Sequence, residues 1–126
     1  MRYATGPLLL LLLLLAAAGC GVETDDRPAT FTYIHAAIVR PSCAKGACHS
    51  AQNRVASRDL DDRDAAYRLF NEGSPSNVSA IYQVIGGDAT PPLQPYTGGR
   101  MPLDAPLPSA DIELIGIWID NGSRND

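Results

Sequence analysis

The sequence is poor in the side chains from which a small protein builds a hydrophobic core. Among its 126 residues are five tyrosines, two phenylalanines and one tryptophan, and ten prolines and eleven glycines interrupt regular structure. A small domain with so little core material usually depends on a cross-link, a metal or a similar stabilising device. The composition therefore favours a domain that is stabilised by a covalent link or a buried cofactor.

The sequence also lacks an apolar run of the roughly 20 residues that a membrane-spanning helix needs. Its longest apolar run is Leu8–Leu15, which follows the positive charge of Arg2 and precedes the small residues "AAAGC". This pattern is typical of a secretory signal peptide. Because a cysteine stands at the cut site, the segment resembles a bacterial lipobox. We predict a lipoprotein signal peptide at residues 1–19 and lipidation of Cys20.

Lipidation of Cys20 would anchor the chain without a spanning helix, since two lipid signals are enough for stable anchoring. Gly21, in place of an aspartate, resembles the outer-membrane sorting signal of bacteria with two membranes. We expect a cell-envelope protein on the outer membrane, facing the periplasm. Residues 20–29 would form a polar tether and residues 30–126 one domain. The alternative is an ordinary secretory cut that leaves Cys20 as a free thiol.

Basic residues are fewer than acidic ones, 10 against 14, and the formal net charge is −4. Loss of Arg2 with the signal peptide makes it −5, which excludes the phosphate neutralisation that nucleic-acid binding requires. A nucleophile–base set is also missing, because both histidines lie near the cysteines and none is placed to activate a hydroxyl residue. The acidic run Asp61, Asp62 and Asp64 fits a helix cap better than a catalytic pair. We expect no enzyme.

Apolar residues recur at helical spacing in four segments, which are residues 30–39, 60–73, 76–88 and 109–123. The caps that we predict for them are Thr30 with a stop at Pro41, Asp61 or Asp62 with a stop at Gly73, and Ser109 with a stop at Gly122. The third segment is rich in β-branched residues, so a strand is the alternative there. The sequence thus predicts an all-α domain.

Residues 89–108 hold six prolines in twenty positions, a density that excludes a regular helix or a central strand. A loop this long in a small domain is usually functional or disordered. The first and last helices should enclose an apolar pocket. The residues expected to form its walls are Phe31, Ile34, Ile115, Trp118 and Ile119.

The segment "CAKGACHS" concentrates the reactive side chains of the chain, with Cys43, Cys48 and His49 inside seven positions. Covalent haem attachment needs two thiols and a histidine beside the second thiol, usually spaced as C-x-x-C-H. Here the spacing is two residues longer, and Gly46 would help the extra residues to bulge outward. Apart from Met1, Met101 is the sole methionine, and histidine with methionine is a common axial pair of c-type haem iron.

The order of these elements resembles that of small c-type cytochromes. More narrowly, "PSCAKGACHS", "RDLDDRDAAYRLF", "IYQVIGGD" and "GGRMPLDAPLPSADIELIGIWIDNGS" are similar, in this order, to segments of the predicted cytochrome c-like lipoproteins of myxobacteria and their relatives. The similarity spans residues 31–123 and is interrupted at residues 89–97.

The resemblance implies a cytochrome c-like fold of about four short helices and a long proline-rich distal loop around one covalent haem c. It implies that Cys43 and Cys48 bind the haem and that His49 is the proximal and Met101 the distal ligand of the iron. It further implies a non-catalytic role in electron transfer between redox partner proteins.

Two other interpretations of the cysteines remain open at this point. Cys43 and Cys48 could form a disulfide in a haemless structural lipoprotein, since an oxidising periplasm permits it. Zinc could bind Cys43, Cys48, His49 and His35, which have suitable donor atoms. His35 is expected to be partly exposed, and it could replace Met101 as the sixth iron ligand if the loop does not close.

Overall fold

The computed structural model describes residues 25–71, 73, 76, 79–86 and 99–126. All regular structure in this part of the chain is helical, without a strand, so the predicted all-α class is confirmed. The predicted signal peptide at 1–19, Cys20 and the proline-rich residues 89–98 lie outside the described residues. So does Val78 of the third predicted helix.

The first helical stretch has three parts: α1 (Phe31–Ile34), a π-helical turn (His35–Val39) and α2 (Arg40–Cys43). Thr30 caps it as predicted, because its Oγ1 accepts the Tyr33 N–H at 3.3 Å. The predicted stop at Pro41 is wrong. A proline ring ordinarily clashes with the carbonyl one turn earlier, but the wider π-helical turn lies just before it and the helix continues to Cys43.

The second and third helices are shorter than predicted. Helix α3 (Arg63–Phe70) begins at the cap Asp62, whose Oδ1 accepts the Ala65 N–H at 2.7 Å. It ends three residues before Gly73, which has a left-handed φ of 67°. Helix α4 (Ala80–Gly86) starts where Ser79 Oγ accepts the Tyr82 N–H at 3.2 Å. The strand alternative for this segment is therefore wrong.

Helix α5 (Ser109–Asp120) is the longest helix. The predicted cap at Ser109 is wrong, since Pro108 occupies the cap position and Ser109 is already helical. At the other end, Gly122 has a φ of 95° and its N–H donates to the Ile119 carbonyl at 3.0 Å. The Ser123 N–H donates to the Trp118 carbonyl at 3.1 Å. These two bonds form a Schellman motif, so the predicted stop at Gly122 is confirmed.

The core lies between the first helical stretch and α5. The ring centroids of Phe31 and Trp118 lie 5.0 Å apart. The Phe31 N–H also donates to the Asp126 carboxylate at 2.9 Å, so Asp126 is bonded to the start of α1. All five predicted wall residues are buried: Phe31, Ile34, Ile115, Trp118 and Ile119. Their burial is therefore confirmed, whereas their role as the walls of an apolar pocket stays a prediction.

Within the described ranges, no helix is both long enough and apolar enough to cross a membrane. Of the predicted polar tether at 20–29, only residues 25–29 are described. In these, Arg27 pairs with Asp111 of α5 at 2.5 Å, and Ala29 packs against the core.

Candidate functional site

The four residues between the cysteines form a closed turn. Helix α2 ends at Cys43, and the chain then returns so that the His49 N–H donates to the Cys43 carbonyl at 3.1 Å. Inside this turn the Cys48 N–H donates to the Lys45 carbonyl at 2.8 Å. The longer spacing therefore does not separate the two cysteines along an extended chain, because the backbone is hydrogen-bonded back to its start.

Gly46 lies in this turn, but its φ is outside the left-handed region and an added Cβ would meet nothing within 4 Å. Glycine is thus not required there by sterics. The Gly46 carbonyl instead anchors the turn, since it accepts hydrogen bonds from Ser50 Oγ at 3.3 Å and from the Asn53 side-chain amide. Ser50 is buried, so this bond ties the turn to the interior.

Both thiols are half-buried, and in the described part of the chain neither Cys43 nor Cys48 forms a disulfide. Cys43 packs against the hydrophobic core. Burial, and secondarily the neighbouring Cys48, raises the pKa of the Cys43 thiol from 9.0 to about 11. Cys43 is therefore a neutral thiol at physiological pH, positioned at the end of a helix and beside apolar side chains.

The ring of His49 is oriented by a backbone carbonyl. Its Nδ1 lies 2.8 Å from the Val55 oxygen. Because a carbonyl only accepts hydrogen bonds, Nδ1 carries the proton and, in the neutral ring, Nε2 keeps its lone pair. Histidines that bind metals are held in the same way, with one ring nitrogen donating to a carbonyl. The Nε2 lone pair of His49 is therefore available to coordinate a metal.

The loop that presents the Val55 carbonyl has an unusual backbone. Arg54, Ala56 and Ser57 have φ values of 39°, 54° and 60°, a region that residues with a Cβ rarely adopt. Val55 begins a short 3-10 turn (Val55–Ser57). Its own N–H donates to the Cys48 carbonyl at 3.2 Å. Strained backbone thus surrounds the residue that contacts both Cys48 and His49.

Leu60 connects the two histidines of the chain. Its N–H donates to the His49 carbonyl at 2.8 Å, and its own carbonyl accepts the His35 Nε2–H at 3.1 Å. The expectation of a partly exposed His35 is wrong, since 7% of it is exposed. His35 therefore holds the cysteine–histidine segment against the first helix, and this bond occupies its Nε2.

Met101 is half-buried, and its main chain is attached to α4. Its N–H donates to the Val84 carbonyl at 3.0 Å. Three residues later, the Asp104 carboxylate pairs with Lys45 of the cysteine turn at 2.8 Å. The bond to Asp104 raises the pKa of Lys45 and lowers that of Asp104, so both stay charged near neutral pH. The structure thus links the Met101 segment to the cysteine turn.

Among the residues that the structure describes, no three His, Cys, Asp or Glu side chains are grouped as a metal site. The zinc site predicted as an alternative is therefore not assembled, and His35 is engaged elsewhere. The donor set does suit a covalent haem. It offers two uncrosslinked thiols, an imidazole with a free Nε2 and a thioether in a segment joined to the same turn.

No protein-family model matches this chain, and no curated protein or solved structure matches it either.

Sequence reasoning missed Val55, Leu60, Lys45 and Asp104. Val55 and Leu60 act through backbone groups, which any residue type supplies, so their identity carried no signal. Lys45 did carry one, because it is the sole lysine of the protein and lies between the two cysteines. Its partner, fifty-nine positions away, needed the folded chain.

Proposed function

We propose that this protein is a lipid-anchored, monohaem c-type cytochrome that transfers single electrons outside the cytoplasm. The hydrogen bond from His49 to the Val55 carbonyl carries the proposal. It leaves Nε2 as a donor for iron on the residue next to Cys48, while the turn brings the chain back to Cys43.

Cys43 and Cys48 would hold the haem through two thioether bonds, and His49 and Met101 would be the protein ligands of its iron. The bound haem would supply one-electron chemistry. A histidine and a methionine together leave no coordination position for a substrate, which favours electron transfer over catalysis, and the thioether favours a higher reduction potential. The buried first and last helices provide a low-dielectric environment beside the site.

The cell envelope is the compartment that this function suits. The sequence of residues 1–20 favours export and lipidation at Cys20. An acyl anchor would then hold the carrier on the outer membrane, facing the periplasm. Its partners would be redox proteins. The excess of acidic over basic residues argues against nucleic acid as a partner.

The test is to produce the full chain, with its signal peptide, in a host that has a haem-attachment system. We expect a red protein whose Soret absorption survives denaturation and whose band on a denaturing gel stains for peroxidase activity. The Cys43→Ser/Cys48→Ser double variant should lose both signals. Cys20→Ser is the matched control, since it should keep the haem and lose only the membrane association.

A colourless protein from this host would overturn the proposal. If its mass were also two hydrogens below that of the reduced chain, the Cys43–Cys48 disulfide of a structural lipoprotein would be established instead.

A further inference from the structure

The lengthened turn between the cysteines carries the only lysine of the protein, Lys45. The ammonium of Lys45 extends out of the turn and donates to Asp104 Oδ2 at 2.8 Å. Both side chains are exposed, 49% for Lys45 and 59% for Asp104. Their contact therefore does not belong to the core, and it joins two loops that are far apart in the sequence.

The Met101 segment has a second attachment on its other side. The Met101 N–H donates to the Val84 carbonyl of α4 at 3.0 Å, and Arg100 donates to the Pro102 carbonyl at 2.8 Å within the segment. The segment is thus held through its main chain by α4 and through one carboxylate by the cysteine turn. If the ion pair were removed, the main-chain bond to α4 and local contacts would remain.

We propose that the Lys45–Asp104 ion pair is a clamp that positions Met101 toward the cysteine–histidine segment, so that the lengthened turn contributes to ligand placement as well as to attachment. This proposal rests on the proposed function, because it assigns Met101 a place opposite His49. Lys45 and Asp104 are positioning residues, since neither touches a reacting atom.

An exposed ion pair contributes little to global stability but restricts where its two partners lie. Its effect should weaken with ionic strength, because the distance beyond which salt screens exposed charges shortens from about 10 Å at 0.1 M to about 3 Å at 1 M, close to the 2.8 Å of this contact. These properties separate a clamp from a core contact, which salt leaves unchanged. They also predict a modest effect that is confined to Met101.

The experiment measures how easily imidazole displaces Met101 from the ferric iron of the full-length protein, followed through the methionine–iron charge-transfer band. Lys45→Met and Asp104→Asn should each raise the apparent imidazole affinity by about two- to fivefold. The charge-swapped variant Lys45→Asp/Asp104→Lys should restore the lower imidazole affinity of the unmodified protein. In 1 M salt the imidazole affinity of the unmodified protein should rise toward that of the single variants.

Arg40→Met is the matched control, because Arg40 makes an ion pair of the same length, 2.8 Å, with Asp61, away from the Met101 segment. It should leave the imidazole affinity unchanged. A second readout does not depend on haem: hydrogen exchange of the Met101 amide, which should accelerate about two- to fivefold in Lys45→Met and not in Arg40→Met.

The outcomes are distinguishable. A protein without attached haem overturns the proposed function and, with it, the ligand-positioning role. A haem protein in which Lys45→Met leaves both the imidazole affinity and the Met101 amide exchange unchanged overturns the clamp alone. The clamp is also overturned if Arg40→Met has the same effect as Lys45→Met, or if the charge swap does not restore the affinity.

Discussion

The Nδ1 atom of His49 lies 2.8 Å from the carbonyl oxygen of Val55, six residues further along the chain. This hydrogen bond selects the tautomer of the ring and leaves Nε2 free to bind a metal. It also explains why the chain tolerates an unfavourable backbone at Arg54, Ala56 and Ser57, since that loop presents the Val55 oxygen to the ring. Strain next to a functional group is a recurring feature of binding sites.

Ala56→Gly should stabilise the protein by about 0.5–1 kcal/mol. Ala56 has a φ of 54°, which glycine adopts without the steric cost of a Cβ, and part of this gain is offset by the greater freedom of glycine in the unfolded chain. Thermal unfolding measures the change. Ala51→Gly, outside the left-handed region, is the control and should destabilise. A loss of stability in Ala56→Gly would contradict the strained loop.

If the proposed function is right, Met101→Ala should convert the ferric protein from a six-coordinate low-spin form to one whose iron has an open or water-occupied position. Its reduction potential should fall, because the thioether that raises it is removed. Optical spectra and a redox titration measure both effects. Leu103→Ala, at a side chain that is 71% exposed, is the control. A low-spin six-coordinate spectrum unchanged in Met101→Ala would refute the ligand assignment.

The Cys43 thiol should react slowly with alkylating reagents in folded protein that lacks haem. Burial raises its pKa from 9.0 to about 11, which lowers the thiolate fraction at pH 7.5 about a hundredfold, and the greater nucleophilicity of a more basic thiolate recovers about tenfold. We expect a net decrease of about tenfold relative to the unfolded chain. The rate should keep rising above pH 9, measured in the Cys48→Ser variant so that one thiol reports, because burial, the main cause of the raised pKa, remains in that variant.

The same pKa shift predicts how stability changes at high pH. The folded state holds the Cys43 proton more tightly than the unfolded state, so this contribution is fully present below about pH 9 and is lost as pH rises toward 11. Cys43→Ala should remove this part of the stability that is lost at alkaline pH.

The alkylation rate of Cys43 gives the contrary outcome. If its pH profile levels off near pH 9, the thiol is not buried.

Gly116→Ala should destabilise the protein by about 1 kcal/mol, although alanine favours helix. An added Cβ would lie 3.0–3.1 Å from the Tyr82 ring of α4. Overpacking of this kind costs about 1–3 kcal/mol, and the helix propensity of alanine offsets about 1 kcal/mol. Denaturant unfolding measures the difference. In a Tyr82→Leu background, Gly116→Ala should become neutral or stabilising, and an equal loss in both backgrounds would contradict the close approach.

The sequence determined the helical class, the buried residues of the first and last helices and three of the helix ends. Thr30, Asp62 and Gly122 act as predicted because a cap forms between groups within one turn of the same chain, so its signal is local. The two cysteines and the adjacent histidine could be located in the sequence, but their spacing alone left haem attachment, a disulfide and a zinc site open.

Tertiary structure decided what those side chains contact. The orientation of His49 depends on the Val55 carbonyl, and the buried His35 ring donates a hydrogen bond to the Leu60 carbonyl. Neither contact depends on the identity of the accepting residue. The pairing of Lys45 with Asp104 joins residues fifty-nine positions apart, which only the path of the folded chain brings within hydrogen-bonding distance.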